Sequence, residues 1–249
     1  MLPVIVTYAN TGYLHFAKNL LENFLQKVHH HSLHFFCLDS NIYKVLKEDY
    51  GHHPRFIFEL FDVDVSQSFE SYGTITYNLL THTKVKVLTK ALGLYPFIHF
   101  IDCDVVCVKE PAAEYYEQYK DKDIVFQFDC GLGHGHGLFN NWVCTGNMLL
   151  RNTLGTFYIL SQIETFQERH ADKNDQDCLK AYFDSKGIID IHEEPCACLW
   201  VFPIEEYTNG WMIKHRAMDT SKTYFFHANH VRGDAEKIGL LKQIGFWLV

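Results

Sequence analysis

The segment Phe97-Ile98-His99-Phe100-Ile101-Asp102-Cys103-Asp104-Val105-Val106 opens with a short apolar run and closes on two aspartates one residue apart. An apolar run of that length reads as a buried strand. Side chains alternate on extended backbone, so the spacing predicts that Asp102 and Asp104 face the same way at the strand end. Converging carboxylates repel each other unless a cation neutralises them, and hard oxygen ligands favour Mg²⁺ or Mn²⁺. Acidic pairs are common on surfaces; one that follows a buried strand points to a metal site.

Upstream, the chain alternates between strand and helix. Residues 3–8 read as a strand, 13–28 carry helical periodicity, and 32–38 read as a second strand ending at Asp39-Ser40-Asn41, an N-cap for the next helix. A strand at 55–61 and a helix at about 77–93 lead into 97–101. This order predicts an α/β fold with a mostly parallel, Rossmann-like sheet. Ligands in such sheets bind at the carboxyl ends of the strands, where Asp39 and Asp102 fall. The second half is more mixed: strands at 123–128, 142–150 and 223–228, helices at about 153–169, 175–186 and 234–244. Between the first two of those strands lies a run with Gly131, Gly133, Gly135 and Gly137, expected to border the site. No repeat or linker interrupts residues 1–249, so a single domain is predicted.

Two lysines occupy apolar positions. Leu80, Val87, Leu88, Ala91 and Leu92 share one helical arc with Lys84, while Lys86 and Lys90 project on the opposite face. A lysine on an apolar face snorkels or meets an anion. Lys237 repeats the pattern in the first turn of the last helix, where amides and the helix dipole also favour anions. His227 leaves a buried strand just upstream and is positioned to join the aspartates on a metal.

Composition narrows the classes. A net charge of -8 argues against nucleic-acid binding, and no apolar stretch is long enough to span a membrane. Met1-Leu2-Pro3-Val4-Ile5-Val6 lacks a basic leader and reads as strand, not signal peptide. Eight cysteines lack a disulfide or zinc spacing, which suggests reduced thiols in a cytoplasmic compartment. His29-His30-His31 reads as a solvated helix end.

Taken in order, Lys84, Leu94-Tyr95, Asp102-Cys103-Asp104, Glu110-Pro111, Thr145-Gly146, Arg151, Asp175-Gln176, Asn209-Gly210 and His227-Ala228-Asn229 with Gly233 and Lys237 resemble the nucleotide-diphospho-sugar transferase family of GT-A enzymes, which includes plant arabinosyl- and xylosyltransferases. The resemblance implies a GT-A fold, with residues 1–110 as a nucleotide-binding half and 111–249 as an acceptor-binding half. It implies Mn²⁺ or Mg²⁺ on Asp102, Asp104 and His227. Donor contacts would come from Thr7, Ala9, Asn10, Asp39, Lys84, Asp102, Cys103, Gly146, Asn229, Gly233 and Lys237, and catalytic positions are Asp175 and Gln176. The expected reaction moves a sugar from a nucleotide diphosphate, UDP foremost, to a hydroxyl of a glycan or glycoprotein with retention. Cys107 replaces a frequent aromatic and Cys144 the usual asparagine before Thr-Gly. Relatives often sit in the Golgi, so a truncated lumenal domain is the alternative to a cytoplasmic protein. Two other readings compete: a haloacid-dehalogenase-like phosphatase, whose nucleophile motif is also DxD, and a binding module without turnover.

Overall fold

The computed structural model describes residues 1–129, 141–215 and 218–249. The glycine run at 131–137 lies outside them. Strands β1 (Val4–Ala9), β2 (Leu33–Cys37), β3 (Phe56–Leu60) and β4 (Phe97–Ile101) alternate with helices α1 (Leu14–Lys27), α2 (Ser40–Tyr50) and α3 (Ile75–Leu94). There follow β5 (Val105–Cys107), β6 (Ile124–Phe128), β7 (Val143–Arg151), α4 (Leu154–Gln167), α5 (Asp175–Ser185), β8 (Leu199–Val201), β9 (Tyr207–Asn209), α6 (Gly210–His215), β10 (Phe225–His227) and α7 (Gly233–Gln243).

The main sheet has seven strands in the order β3-β2-β1-β4-β7-β6-β8. Among the described residues of this sheet only β7 runs against its neighbours. Such a sheet is covered on both faces, and β2 and β4 are accordingly buried at every position. On one side α1 packs Phe16, Leu20, Leu21 and Phe24, all fully buried. Each such side chain contributes roughly 1.5–3 kcal/mol through burial. Asp39 caps α2 as expected, accepting from the amides of Asn41 and Ile42.

A second sheet, β5-β10-β9, positions the chemistry. β10 runs antiparallel to β5 with His227 opposite Val105, and Ala228 N–H donates to the Asp104 carbonyl at 3.1 Å. The histidine is thereby fixed beside the aspartates. The aspartates do not converge by strand alternation. β4 ends at Ile101, and a tight turn follows in which Val105 N–H donates to Asp102 O at 3.0 Å. It is this turn that brings the two carboxylates together.

Candidate active site

A cavity of about 380 Å³ opens at the carboxyl ends of β1 and β4, lined from both halves of the chain. On its floor Asp102, Asp104 and His227 each offer a ligand atom, all within 4.8 Å of one another. His227 Nε2 lies 3.3 Å from Asp104 Oδ1 and 4.0 Å from Asp102 Oδ2. Gly146 makes this approach possible. A Cβ there would stand 2.3 Å from His227 Cε1 and 2.5 Å from Asp102 Oδ2. Two carboxylates and an imidazole fit a small divalent cation of the Mg²⁺ or Mn²⁺ kind.

Each aspartate is answered by a lysine. Lys237 Nζ donates to Asp104 Oδ2, and Lys84 Nζ lies 3.2 Å from Asp102 Oδ1 and 2.8 Å from Asp175 Oδ2. Lys84 also donates to Thr145 O at 3.2 Å. It is 4% exposed, so it meets anions rather than snorkelling to solvent. Burial opposes the charge of Asp104, but Lys237 and His227 outweigh it and hold the carboxyl well below the usual carboxylate range. For Asp102, burial dominates and raises the carboxyl despite Lys84. Burial disfavours the imidazolium of His227, yet Asp104 and Cys144 bring its pKa up to about 10.

The predicted catalytic pair opens α5. Asp175 Oδ2 accepts from Thr145 Oγ1 at 2.7 Å as well as from Lys84. Gln176 Oε1 accepts from Thr145 N–H at 3.4 Å, and its Nε2 donates to Asp129 Oδ2 at 2.7 Å. Asp129 also accepts from Trp142 Nε1 at 2.9 Å and pairs with His230 Nε2 at 2.6 Å. Asp129, Trp142 and His230 escaped the sequence reading, although Asp129 follows an apolar strand much as Asp102 does. His230 has a φ of 58°, and it alone among the described non-glycine residues adopts the left-handed region.

Ala9, Asn10, Lys84, Asp102, Cys103, Gly146, Asp175, Gln176, Asn229, Gly233 and Lys237 all line the cavity. Thr7 and Asp39 do not. Thr7 is fully buried in β1, and both Asp39 oxygens are spent on Thr11, Asn41 and Ile42. Asp39 thereby ties the segment after β1 to the start of α2. Arg151 also lies elsewhere, its guanidinium 4.0 Å from the centre of the Phe97 ring. His29 and His30 are exposed just past α1, as expected of a solvated helix end, but His31 is buried: all three amides donate to the Glu110 carboxylate, and His31 Nδ1 meets it at 2.7 Å.

Known structures share this architecture. A galactosyltransferase, LgtC, bound to donor and acceptor sugar analogues superposes with a TM-score of 0.61 at 12% identity, over 98% of this chain and 94% of that one. A glycosyltransferase involved in glycosylation of the major capsid of PBCV-1 gives 0.59 at 10%, covering 97% and 100%. Mouse xyloside xylosyltransferase 1 gives 0.55 at 14%, covering 92% and 98%. No curated protein sequence matches the chain. The fold is therefore that of the GT-A glycosyltransferases. The sequence profile of the nucleotide-diphospho-sugar transferases matches residues 28–241, and the chain belongs to that family. Glycosyl transfer from a nucleotide donor is its reaction class, and the phosphatase reading is set aside. Among the described residues no helix is long and apolar enough to cross a membrane.

Proposed function

We propose that the protein is a divalent-metal-dependent, retaining glycosyltransferase that takes its sugar from a UDP-sugar and passes it to a hydroxyl of a glycan or glycoprotein. The observation that carries this reading is the Asp102, Asp104 and His227 cluster between Lys84 and Lys237 on the cavity floor. Those three residues would hold a Mn²⁺ or Mg²⁺ ion, which would supply positive charge against the departing diphosphate. Lys84 and Lys237 add fixed positive charge on either side of that point, where low dielectric strengthens it. Gly233 and Asn229 line the same wall near the start of α7, whose amides favour phosphate oxygens.

The nucleoside fits the wall formed by Ala9 and Asn10. Asn10 donates through Nδ2 to Ser66 O at 2.6 Å and Ser68 O at 3.0 Å, while its buried Oδ1 has no partner among the described residues. That spare acceptor suits an imide N–H or a ribose hydroxyl. On this reading residues 1–110 carry the nucleoside and 111–249 the acceptor, with His227 and the start of α7 from the second half completing the metal and diphosphate site. Asp175 is committed to Lys84 and Thr145, and Asp129 to His230, Gln176 and Trp142. Neither is a free base for an inverting attack, which favours retention, with the acceptor's proton passing to the leaving phosphate oxygen. Gln176 then orients groups beside the anomeric carbon.

Incubation with a panel of UDP- and GDP-sugars, with Mn²⁺, Mg²⁺ or EDTA, tests the proposal. Nucleotide release should require the metal, prefer UDP-sugars and yield a product of unchanged anomeric configuration by NMR. Full turnover in excess EDTA would sink the metal assignment.

A further inference from the structure

His227 has two ring nitrogens, and only Nε2 faces the aspartates. Nδ1 points the other way, toward Gln127 Oε1 at 3.2 Å and Cys144 Sγ at 3.5 Å. A histidine can give a metal one nitrogen only if the proton of its neutral ring sits on the other, so the group behind Nδ1 matters. Gln127 is fully buried near the end of β6, where the register with β7 breaks between Phe126 and Gln127. Bulges of this kind re-aim side chains beside active sites.

The orientation of the Gln127 amide follows from its surroundings. Its Nε2 donates to two backbone carbonyls, Tyr207 O at 3.1 Å and Thr208 O at 2.8 Å. Rotating the amide by half a turn would set Oε1 against both carbonyls and leave three acceptors facing one another without a proton. Oε1 must therefore point at His227, and an amide oxygen only accepts. Cys144 does not impose the opposite arrangement. Its sulfur accepts from Gly146 N–H at 3.4 Å and Asn229 Nδ2 at 3.8 Å, and a thiol is a weak donor. If the thiol instead donated to Nδ1, Gln127 Oε1 would be left buried without a donor, at a cost of roughly 1–3 kcal/mol.

We propose that Gln127 is a positioning residue: it holds the Nδ1 proton of His227 and so presents the Nε2 lone pair to the metal. The inference rests on the metal site proposed above. It adds a residue that touches neither nucleotide nor sugar and acts through His227. β9, which supplies both carbonyls, thereby becomes part of the support of the site.

The experiment follows free Mn²⁺ by its EPR signal during titration into UDP-saturated protein. It compares wild type, Gln127→Leu, His227→Ala and the double variant, with UDP affinity in EDTA as the check of an intact fold. Loss of such an outer partner typically weakens metal affinity by about 10–100-fold. Gln127→Leu should therefore lose Mn²⁺ affinity by roughly that factor and bind UDP in EDTA within about twofold of wild type, as a residue outside the nucleotide site. In the His227→Ala background the same substitution should change residual Mn²⁺ affinity by less than about twofold, because its effect passes through the ring already removed. Equal losses in both backgrounds would mean a merely structural role and overturn the inference, as would wild-type Mn²⁺ affinity in Gln127→Leu. Gln127→Met, of equal length, replaces the leucine variant if that protein fails the UDP check. Wild-type protein that takes up no Mn²⁺ beyond free UDP would overturn the metal site itself, a result distinct from the other two.

Discussion

Asp104 and Glu110 lie on the same stretch of chain after β4, and both carboxyls are held below their ordinary range against the opposing effect of burial. The means differ. Asp104 is answered by side-chain cations, Lys237 and His227. Glu110 is answered by the His31 ring through Nδ1 and by the chain itself, the amides of His29, His30 and His31, and its pKa falls to about 2. Backbone amides fixed by a turn cannot change partner, so Glu110 serves architecture, tying the segment after β5 to the start of β2. Side-chain cations can re-pair when a ligand arrives. A charge held by side-chain cations alone is a site, and one held also by fixed backbone amides is a joint.

The largest test of this difference is on turnover. Asp104→Asn keeps the shape of the side chain and removes its charge. Metal-borne stabilisation of a leaving group is worth several kcal/mol, so turnover should fall by at least about a thousandfold. Glu110→Gln should leave kcat/KM within about twofold, like other substitutions away from the chemistry. Initial rates with saturating donor and Mn²⁺ measure both. Comparable losses in the two variants would erase the distinction between site and joint.

A smaller effect separates lysines on one helix. Lys84 sits between Asp102 and Asp175, 5% exposed in its side chain, whereas Lys90 pairs with Glu59 at 2.6 Å in an accessible setting. Lys84→Met leaves the buried Asp175 and the partly exposed Asp102 without their cation and should cost about 3 kcal/mol of stability. Lys90→Met breaks a surface pair and should cost less than about 1 kcal/mol. Urea unfolding in the absence of nucleotide reads the difference directly. If the two variants unfold alike, Lys84 is not the counter-charge of the site.

Lys84 was legible because a lysine fell inside an apolar helical arc; what it touches was not. The sequence suggested a diphosphate contact, and the structure shows that two carboxylates of the chain already hold it. Strands β1 to β4 were legible for a related reason. Strands covered on both faces read as apolar runs, and the helices between them carry their own period. β5, β8 and β9 span three residues each, too few to display any period, and the reversal of β7 leaves no local signature. The paired aspartates announced the site, but the turn at Asp102 that makes them converge did not show, since the sequence fits extended backbone equally well. Gln127 and Asp129 belong to contacts between distant segments, with His227 and His230 about a hundred residues on. No spacing rule reaches that far.

The smallest expected effect concerns acid. The Glu110 carboxyl, about 4.5 when free, falls to about 2 in the folded protein, where burial is outweighed by His31 and the three amides. A depressed carboxyl binds fewer protons folded than unfolded, so stability rises with pH wherever the two states differ. The contribution is complete above about pH 4.5 and is lost as pH falls toward 2. The carboxylate lies near the surface, so solvent screening keeps the effect below about 2 kcal/mol. Glu110→Gln removes the titrating carboxyl and, with the His31 titration taken out of both proteins, should flatten the pH dependence of urea unfolding between about pH 4.5 and 3. His31 contributes with the opposite sign: burial lowers its pKa and Glu110 partly restores it, so the variant depresses it further and steepens the acid loss, and His31→Asn introduced into both proteins removes that titration from the comparison. A His31→Asn curve as flat as that of the double variant in this range would show that the backbone amides of residues 29–31 do not hold the charge, and the contrast with Asp104 would lose its second member.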